Sequence, residues 1–170
     1  EIINQLNSIK DGQHLTEKLM YYKGETRSFK VYEVDLTLLS FNPHNGRIGS
    51  IVEEYKQEHG TDIISLPIEE RNSLIHDWIK NKNVARNKQT YEDIKQKQQI
   101  EPTVITSDGL VVDGNRRFMT LRTLASEGIT RQIKTVILDE TYDDPSAAIH
   151  IEKLETSIQL GKDPTLGYDP

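Results

Sequence analysis

Asp113-Gly114-Asn115-Arg116-Arg117 is the stretch on which the reading of this chain turns. Upstream of it, Pro102-Thr103-Val104-Ile105-Thr106 and Leu110-Val111-Val112 are two short β-rich runs on either side of Ser107-Asp108-Gly109. An Asp-Gly pair between such runs predicts a hairpin. Downstream, Phe118, Leu121, Leu124 and Ala125 recur at helical spacing, and Gly128 stands where a helix C-terminus is capped. The two arginines therefore fall on the first turn of a helix entered from a strand. Cations are poorly placed there, because a helix start already carries partial positive charge. Two of them together imply an anionic partner that the free amides of the same turn would also bind, and phosphate is the natural candidate. The alternative is a turn followed by a solvated arginine pair bridged to nearby carboxylates. Spacing alone does not identify the anion.

The rest of the composition narrows the function classes. A chain of 170 residues is long enough for one domain with a real core and hardly long enough for two. With 35% hydrophobic and 28% charged residues it suits a small domain with polar helices. A net charge of −6 argues against a general nucleic-acid surface, so any DNA contact needs a local basic patch or another part of the protein. No apolar run reaches membrane-spanning length and no signal-peptide pattern is present, so no membrane partner is expected. The absence of cysteine excludes disulfides and thiolate chemistry, and the expected compartment is the cytoplasm. The chain begins at Glu1 and ends at Gly167-Tyr168-Asp169-Pro170 after a loop, which reads as a fragment of a longer protein.

Along the chain, residues 1–27 read as an N-terminal extension: a short amphipathic piece (Ile2, Ile3, Leu6, Ile9) and then polar connection. Residues 28–39 are the best strand of the first half. Ser50-Ile51-Val52-Glu53 matches a capping box that opens a helix ending at Gly60. A second helix is expected from about Pro67 to Lys80, burying Leu74, Ile75, Trp78 and Ile79. Residues 87–98 have helical propensity with only Tyr91 and Ile94 to bury, so they read as a surface helix. Ile133 to Leu138 form a last strand, and Asp144-Pro145 caps a last helix carrying Ala148, Ile151, Leu154 and Ile158 and ending near Gly161. The order of elements makes a mixed α+β domain over residues 28–163, with 164–170 as the start of a linker.

Other candidate chemistry is sparse. The five histidines lack metal-ligand spacing. There is no P-loop and no dinucleotide fingerprint. Asn42-Pro43-His44-Asn45-Gly46-Arg47 is a rigid turn that delivers Arg47 directly before a helix; on its own it reads as a plain strand-to-helix connection with an exposed arginine. Glu152 and Glu155 lie one helical turn apart, and such a pair either holds Mg²⁺ beside a phosphate or is solvated helix surface.

These pieces, in this order, resemble the N-terminal domain of ParB-like proteins in the ParB/sulfiredoxin superfamily. Asn42-Pro43-His44-Asn45-Gly46-Arg47 is similar to that family's Asn-Pro-x-x-x-Arg box. Gly114-Asn115-Arg116-Arg117 is similar to its Gly-x-Arg-Arg box, with Asn115 where many members carry Glu. The family's Glu-Asn-x-x-Arg segment would fall on Glu152-Lys153-Leu154-Glu155-Thr156, where Lys153 and Thr156 depart from it. The resemblance spans roughly residues 30–160 and implies a small mixed sheet flanked by helices. It implies CTP or ATP with Mg²⁺, phosphates on Gly114, Asn115, Arg116 and Arg117 with Arg47 assisting, and Glu152 as metal ligand. It also implies DNA binding through the full-length protein and a possible homodimer. Lys153 puts Mg²⁺-dependent CTP binding in question, and the lack of cysteine rules out sulfiredoxin chemistry.

Two function classes follow. The first is a nucleotide- or phosphate-binding switch module of a larger DNA-associated protein. The second is a metal-dependent NTPase, kinase or nuclease on the same fold, in which Asp113 or Glu152 would orient the attacking group. A protein-interaction scaffold with an empty pocket is the third and plainest reading.

Overall fold

A computed structural model describes residues 1–162, apart from the side chains of Arg47 and Lys162. The expected linker at 164–170 lies outside the described residues. Five strands form one mixed sheet: β1 (Thr16–Tyr22), β2 (Glu25–Asp35), β3 (Thr103–Ile105), β4 (Val111–Asp113) and β5 (Gln132–Ile137), in the order β1-β2-β5-β3-β4. β3 and β5 run parallel and every other neighbouring pair is antiparallel. With its six helices this is the α+β class that the sequence implies.

Strand alternation assigns the two faces of the sheet. Tyr32, Val34, Ile105, Val111, Ile133 and Ile137 belong to the larger core, together with residues of α1 (Ile2–Lys10), α3 (Ile68–Lys82), α4 (Val84–Lys97) and α5 (Asn115–Ser126). Met20, Tyr22, Val31, Val104, Val112 and Val136 pack on the other face with Ile151 and Leu154 of α6 (Pro145–Lys162). Val111 and Val112 thus feed opposite cores, which is why that run has no polar side and why β4 is held firmly where it delivers Asp113.

The Asp108-Gly109 hairpin is present. Gly109 has φ +88, and a Cβ there would sit 2.2 Å from the Leu38 carbonyl oxygen. Asp144 caps α6 as expected, its carboxylate accepting from the Ser146 amide at 3.0 Å.

Two local expectations change. The polar connection before residue 28 contains β1, which pairs along its whole length with β2. Its turn is Lys23-Gly24, with φ +55 and +83, a two-residue hairpin turn that uses Lys where Asn or Gly is usual. Ser50 does not cap a helix: α2 (Gly49–His59) continues directly from a 3-10 turn at Gly46–Ile48, and no side chain caps it. Ser50 is simply its second residue. Gly60 does stop α2, in the left-handed conformation.

Candidate functional site

The strand-to-helix step at Asp113-Gly114 depends on glycine. Gly114 has φ +104, and a Cβ would lie 2.6 Å from Thr103 Cγ2. Thr103 is fully buried and bonded to the Lys134 carbonyl, so it cannot move aside. The first intrahelical bond of α5 runs from the Phe118 amide to the Gly114 carbonyl at 2.8 Å, which leaves the amides of residues 115–117 ahead of it at the helix start.

Arg116 and Arg117 part company from there. Arg117 donates from Nη2 to the Asp113 carboxylate at 3.0 Å and to the Pro102 carbonyl at 3.3 Å, while its buried Nε has no hydrogen-bond partner. Asp113, only 2% exposed, also accepts from Gln159 Nε2 of α6 at 3.3 Å. The pair is therefore a buried bridge that ties the end of β4 to α5 and α6. Of the sequence alternatives, the carboxylate bridge holds for Arg117, but it is interior and not solvated. Asp113, expected as a candidate for orienting an attacking group, holds two side chains in place.

Arg116 instead donates from Nε to the buried Asn87 Oδ1 of α4 at 2.8 Å. Beside it opens a cleft of about 680 Å³ between α4, residues 98–101 and the start of α5. Gly114, Asn115, Arg116 and Arg117 all line it. Asn115 is 8% exposed and its buried Oδ1 has no hydrogen-bond partner. A carboxamide in that position can meet a donor as it stands or an acceptor after a half-turn. The charged lining is balanced: Arg86, Arg116 and Arg117 against Glu92, Asp93 and Glu101.

The first box adjoins the same strand. Ser40 bridges to Leu110 beside β4, and Asn45 donates to the Val112 carbonyl at 3.2 Å, one residue before Asp113. Asn42 is fully buried. Its Oδ1 accepts from the His44 amide at 2.9 Å, which fixes the turn, and its Nδ2 donates to the Tyr142 hydroxyl at 2.7 Å. Burial pushes the Tyr142 phenol far above its ordinary range; the Asn42 bond pulls the other way, and the negative charges of Glu155 and Glu152 add to the rise. The backbone of Arg47 lies in the following 3-10 turn, and its side chain is outside the described residues.

On α6 the two glutamates are not equivalent. Glu152 is exposed, whereas Glu155 is 6% exposed and shares its inward stripe with Ile151 and Gln159. Among the described residues no three His, Cys, Asp or Glu side chains gather into a metal-holding group. Mg²⁺ carried in on a ligand's phosphates needs only one or two carboxylates from a protein. Sequence reading missed Asn87, Tyr142 and Gln159. Asn87 and Gln159 each carried a signal: a polar side chain in register with an apolar stripe, Asn87 with Tyr91 and Ile94, Gln159 with Ile151.

No helix among the described residues is long and apolar enough to cross a membrane. No family profile matches the sequence, and no curated protein matches it. Solved structures similar to it include two ParB structures. One is the C-terminally truncated chromosome-partitioning protein ParB from Caulobacter crescentus complexed with CTP-gamma-S, at TM-score 0.44 and 11% identity. The other is a Pnob8-like ParB-N domain, at TM-score 0.40 and 12% identity. The matches cover 82% and 71% of this chain but only 55% and 34% of those chains, so this chain spans about half the length of the first and a third of the second. Both neighbours are ParB structures, the family whose boxes the sequence resembles, and at such TM-scores no residue's role carries across.

Proposed function

We propose that this domain is a ligand-binding module that holds the phosphates of a nucleotide at the start of α5, within a larger DNA-associated protein. The observation that carries this reading is the cleft at Gly114–Arg117, lined by a helix start, Arg116 and Asn115, whose buried Oδ1 has no hydrogen-bond partner. A cleft of that size falls in the range of small-molecule sites, roughly 300–1,000 Å³.

The balanced charge of the lining favours a nucleotide over a nucleic-acid backbone. A backbone track needs a run of unopposed cations, whereas a nucleotide concentrates its charge at one end. Phosphates would sit on the α5 amides and Arg116, and the carboxamides of Gln89 and Gln98 would face the less charged remainder. By the motif resemblance the nucleotide is CTP or ATP with Mg²⁺ and Arg47 assists; Glu152, the metal ligand that the resemblance implies, does not line the cleft, and DNA contact and dimerisation belong to the full-length protein in the cytoplasm.

The catalytic alternative asks Asp113 or Glu152 to orient a water or hydroxyl. Asp113 is already engaged by Arg117 and Gln159, and Glu152 is not among the residues lining the cleft. Binding is therefore the better-supported class.

The test is calorimetric titration of the chain with CTP, ATP, GTP and ADP, with and without Mg²⁺. Saturable binding by the wild type that is lost in Arg116→Ala is the expected result. Equal affinity in that variant would remove the site. Sustained metal-dependent phosphate release would move the protein to the catalytic class.

A further inference from the structure

Asn87 is one of the few buried polar side chains on the helices of the larger core, and every polar atom it carries is spent in a way that fixes its direction. Its Nδ2 donates to the Ile79 carbonyl at 2.8 Å and the Lys80 carbonyl at 3.0 Å. Those carbonyls belong to the last turn of α3, where a helix has no amides left to satisfy them. Turning the amide over would set its oxygen against two carbonyl oxygens, so chemistry excludes the flipped orientation. Oδ1 must then face Arg116, whose Nε it accepts at 2.8 Å.

The base of this strut is itself rigid. Asn83 ends α3 and begins α4; its side chain accepts from the Arg86 amide at 3.2 Å, and its carbonyl accepts from the Asn87 amide at 2.9 Å. The corner between the two helices thus points one neutral acceptor at one guanidinium edge.

We propose that Asn87 is a positioning residue for the phosphate site: it fixes the direction of Arg116 through its Nε edge at the start of α5. The inference rests on the proposed binding of a nucleotide at that site. Its function is separate from capping α3, because the cap uses only Nδ2 and the positioning uses only Oδ1.

A double-mutant cycle on the 170-residue chain separates the two, with CTP and ATP as probes. Asn87→Ala is expected to raise Kd about tenfold, the scale of one hydrogen bond to a charged group. In an Arg116→Lys background, which keeps the charge and lacks Nε, the same change is expected to alter Kd less than about twofold. Equal losses in both backgrounds would assign the effect to helix packing and overturn the inference. A wild-type chain that binds neither probe would overturn the site and this inference with it, whereas binding with an additive cycle overturns Asn87 alone.

A second measurement needs no ligand. The Arg116 Nε–H proton is expected to exchange with solvent slowly in the wild type and roughly tenfold faster in Asn87→Ala, at the scale of one lost charge-assisted bond. Unchanged exchange overturns the proposal even where Arg116→Lys abolishes binding. Should Asn87→Ala fail to fold, the wild type alone still decides: Nε–H exchange as fast as that of a free arginine side chain overturns the proposal.

Discussion

The first and third turns of α5 each take an arginine partly out of water, and they do so by opposite means. Arg117, on the first, is matched by the buried carboxylate of Asp113. Arg122, on the third, has no ion pair among the described residues. It donates to the Asn72 carbonyl at 3.4 Å and to His76 Nδ1 at 3.3 Å, and its guanidinium lies 5.3 Å and 5.8 Å from the ring centres of Phe41 and Phe118. Burial lowers the Arg122 pKa from its ordinary value, with only partial relief from Asp77. The carboxylate-bridged turn joins β4, α5 and α6 into one unit, so its parts fail together. The ring-packed turn is a local solution whose parts can be changed singly.

The contrast is broken most severely at Gly114. Gly114→Ala forces a side chain into left-handed angles and against Thr103, which is locked by its own hydrogen bond. The expected cost is about 3–5 kcal/mol, strain and overpacking combined, read by denaturant unfolding. A loss below about 1 kcal/mol would mean that the strand-to-helix step relaxes, and the idea of a rigid first turn would fail with it.

Next in size is Asp113→Ala, which leaves Arg117 without its carboxylate and Gln159 without its acceptor. Breaking a buried pair from one side costs about 3 kcal/mol, and slightly less here because Arg117 keeps 18% of its side-chain surface. Asp113→Ala with Arg117→Met should recover part of that loss, since the uncompensated charge goes too. No recovery would show that the carboxylate matters chiefly through α6.

Smaller again is the stability effect of Arg116→Ala, expected at about 1–2 kcal/mol because it takes the Arg116 donor from the buried Asn87 Oδ1. Nucleotide affinity should fall far more than stability does. A large drop in melting temperature would place Arg116 with Arg117 as a structural cation and erase the difference between the two neighbours.

The sequence made the frame of this fold legible because each buried stripe has its own period. The 102–112 hairpin, the α5 register and the Asp144 cap all follow from residue type and spacing. β1 was hidden because it opens in Thr16-Glu17-Lys18 and turns at Lys23, so neither composition nor turn chemistry announces it. The box at 113–117 was legible because glycine and paired arginines at a helix start are locally paradoxical. Its supports were not: Asn87 and Gln159 are ordinary polar helix residues until the fold shows what their stripes face. Glu152 and Glu155 look alike at one turn's separation, and only the packing of α6 separates the exposed carboxylate from the buried one.

The finest test lies in the ring-packed turn. His76 accepts from Arg122 through Nδ1, which requires a neutral ring; burial lowers its pKa first, and the Arg122 charge lowers it further. A histidine depressed in the folded state contributes its full stability above the unfolded value of about 6.5. As pH falls below that value the unfolded chain takes up a proton that the folded chain refuses, so stability is lost toward the lowered pKa. Unfolding free energy measured from pH 7.5 to 5.0 should therefore fall more steeply in the wild type than in His76→Gln, which keeps an acceptor for Arg122 and cannot titrate. The difference in slope is bounded at about 1.4 kcal/mol per pH unit for one proton. Carboxylates with lowered pKa values, Glu17 and Asp35 among them, bend both curves in the same direction, so only the difference reports on His76. Parallel curves would mean that Arg122 tolerates a charged neighbour, and that the ring-packed turn is as dependent on an unseen counter-charge as the first turn is on Asp113.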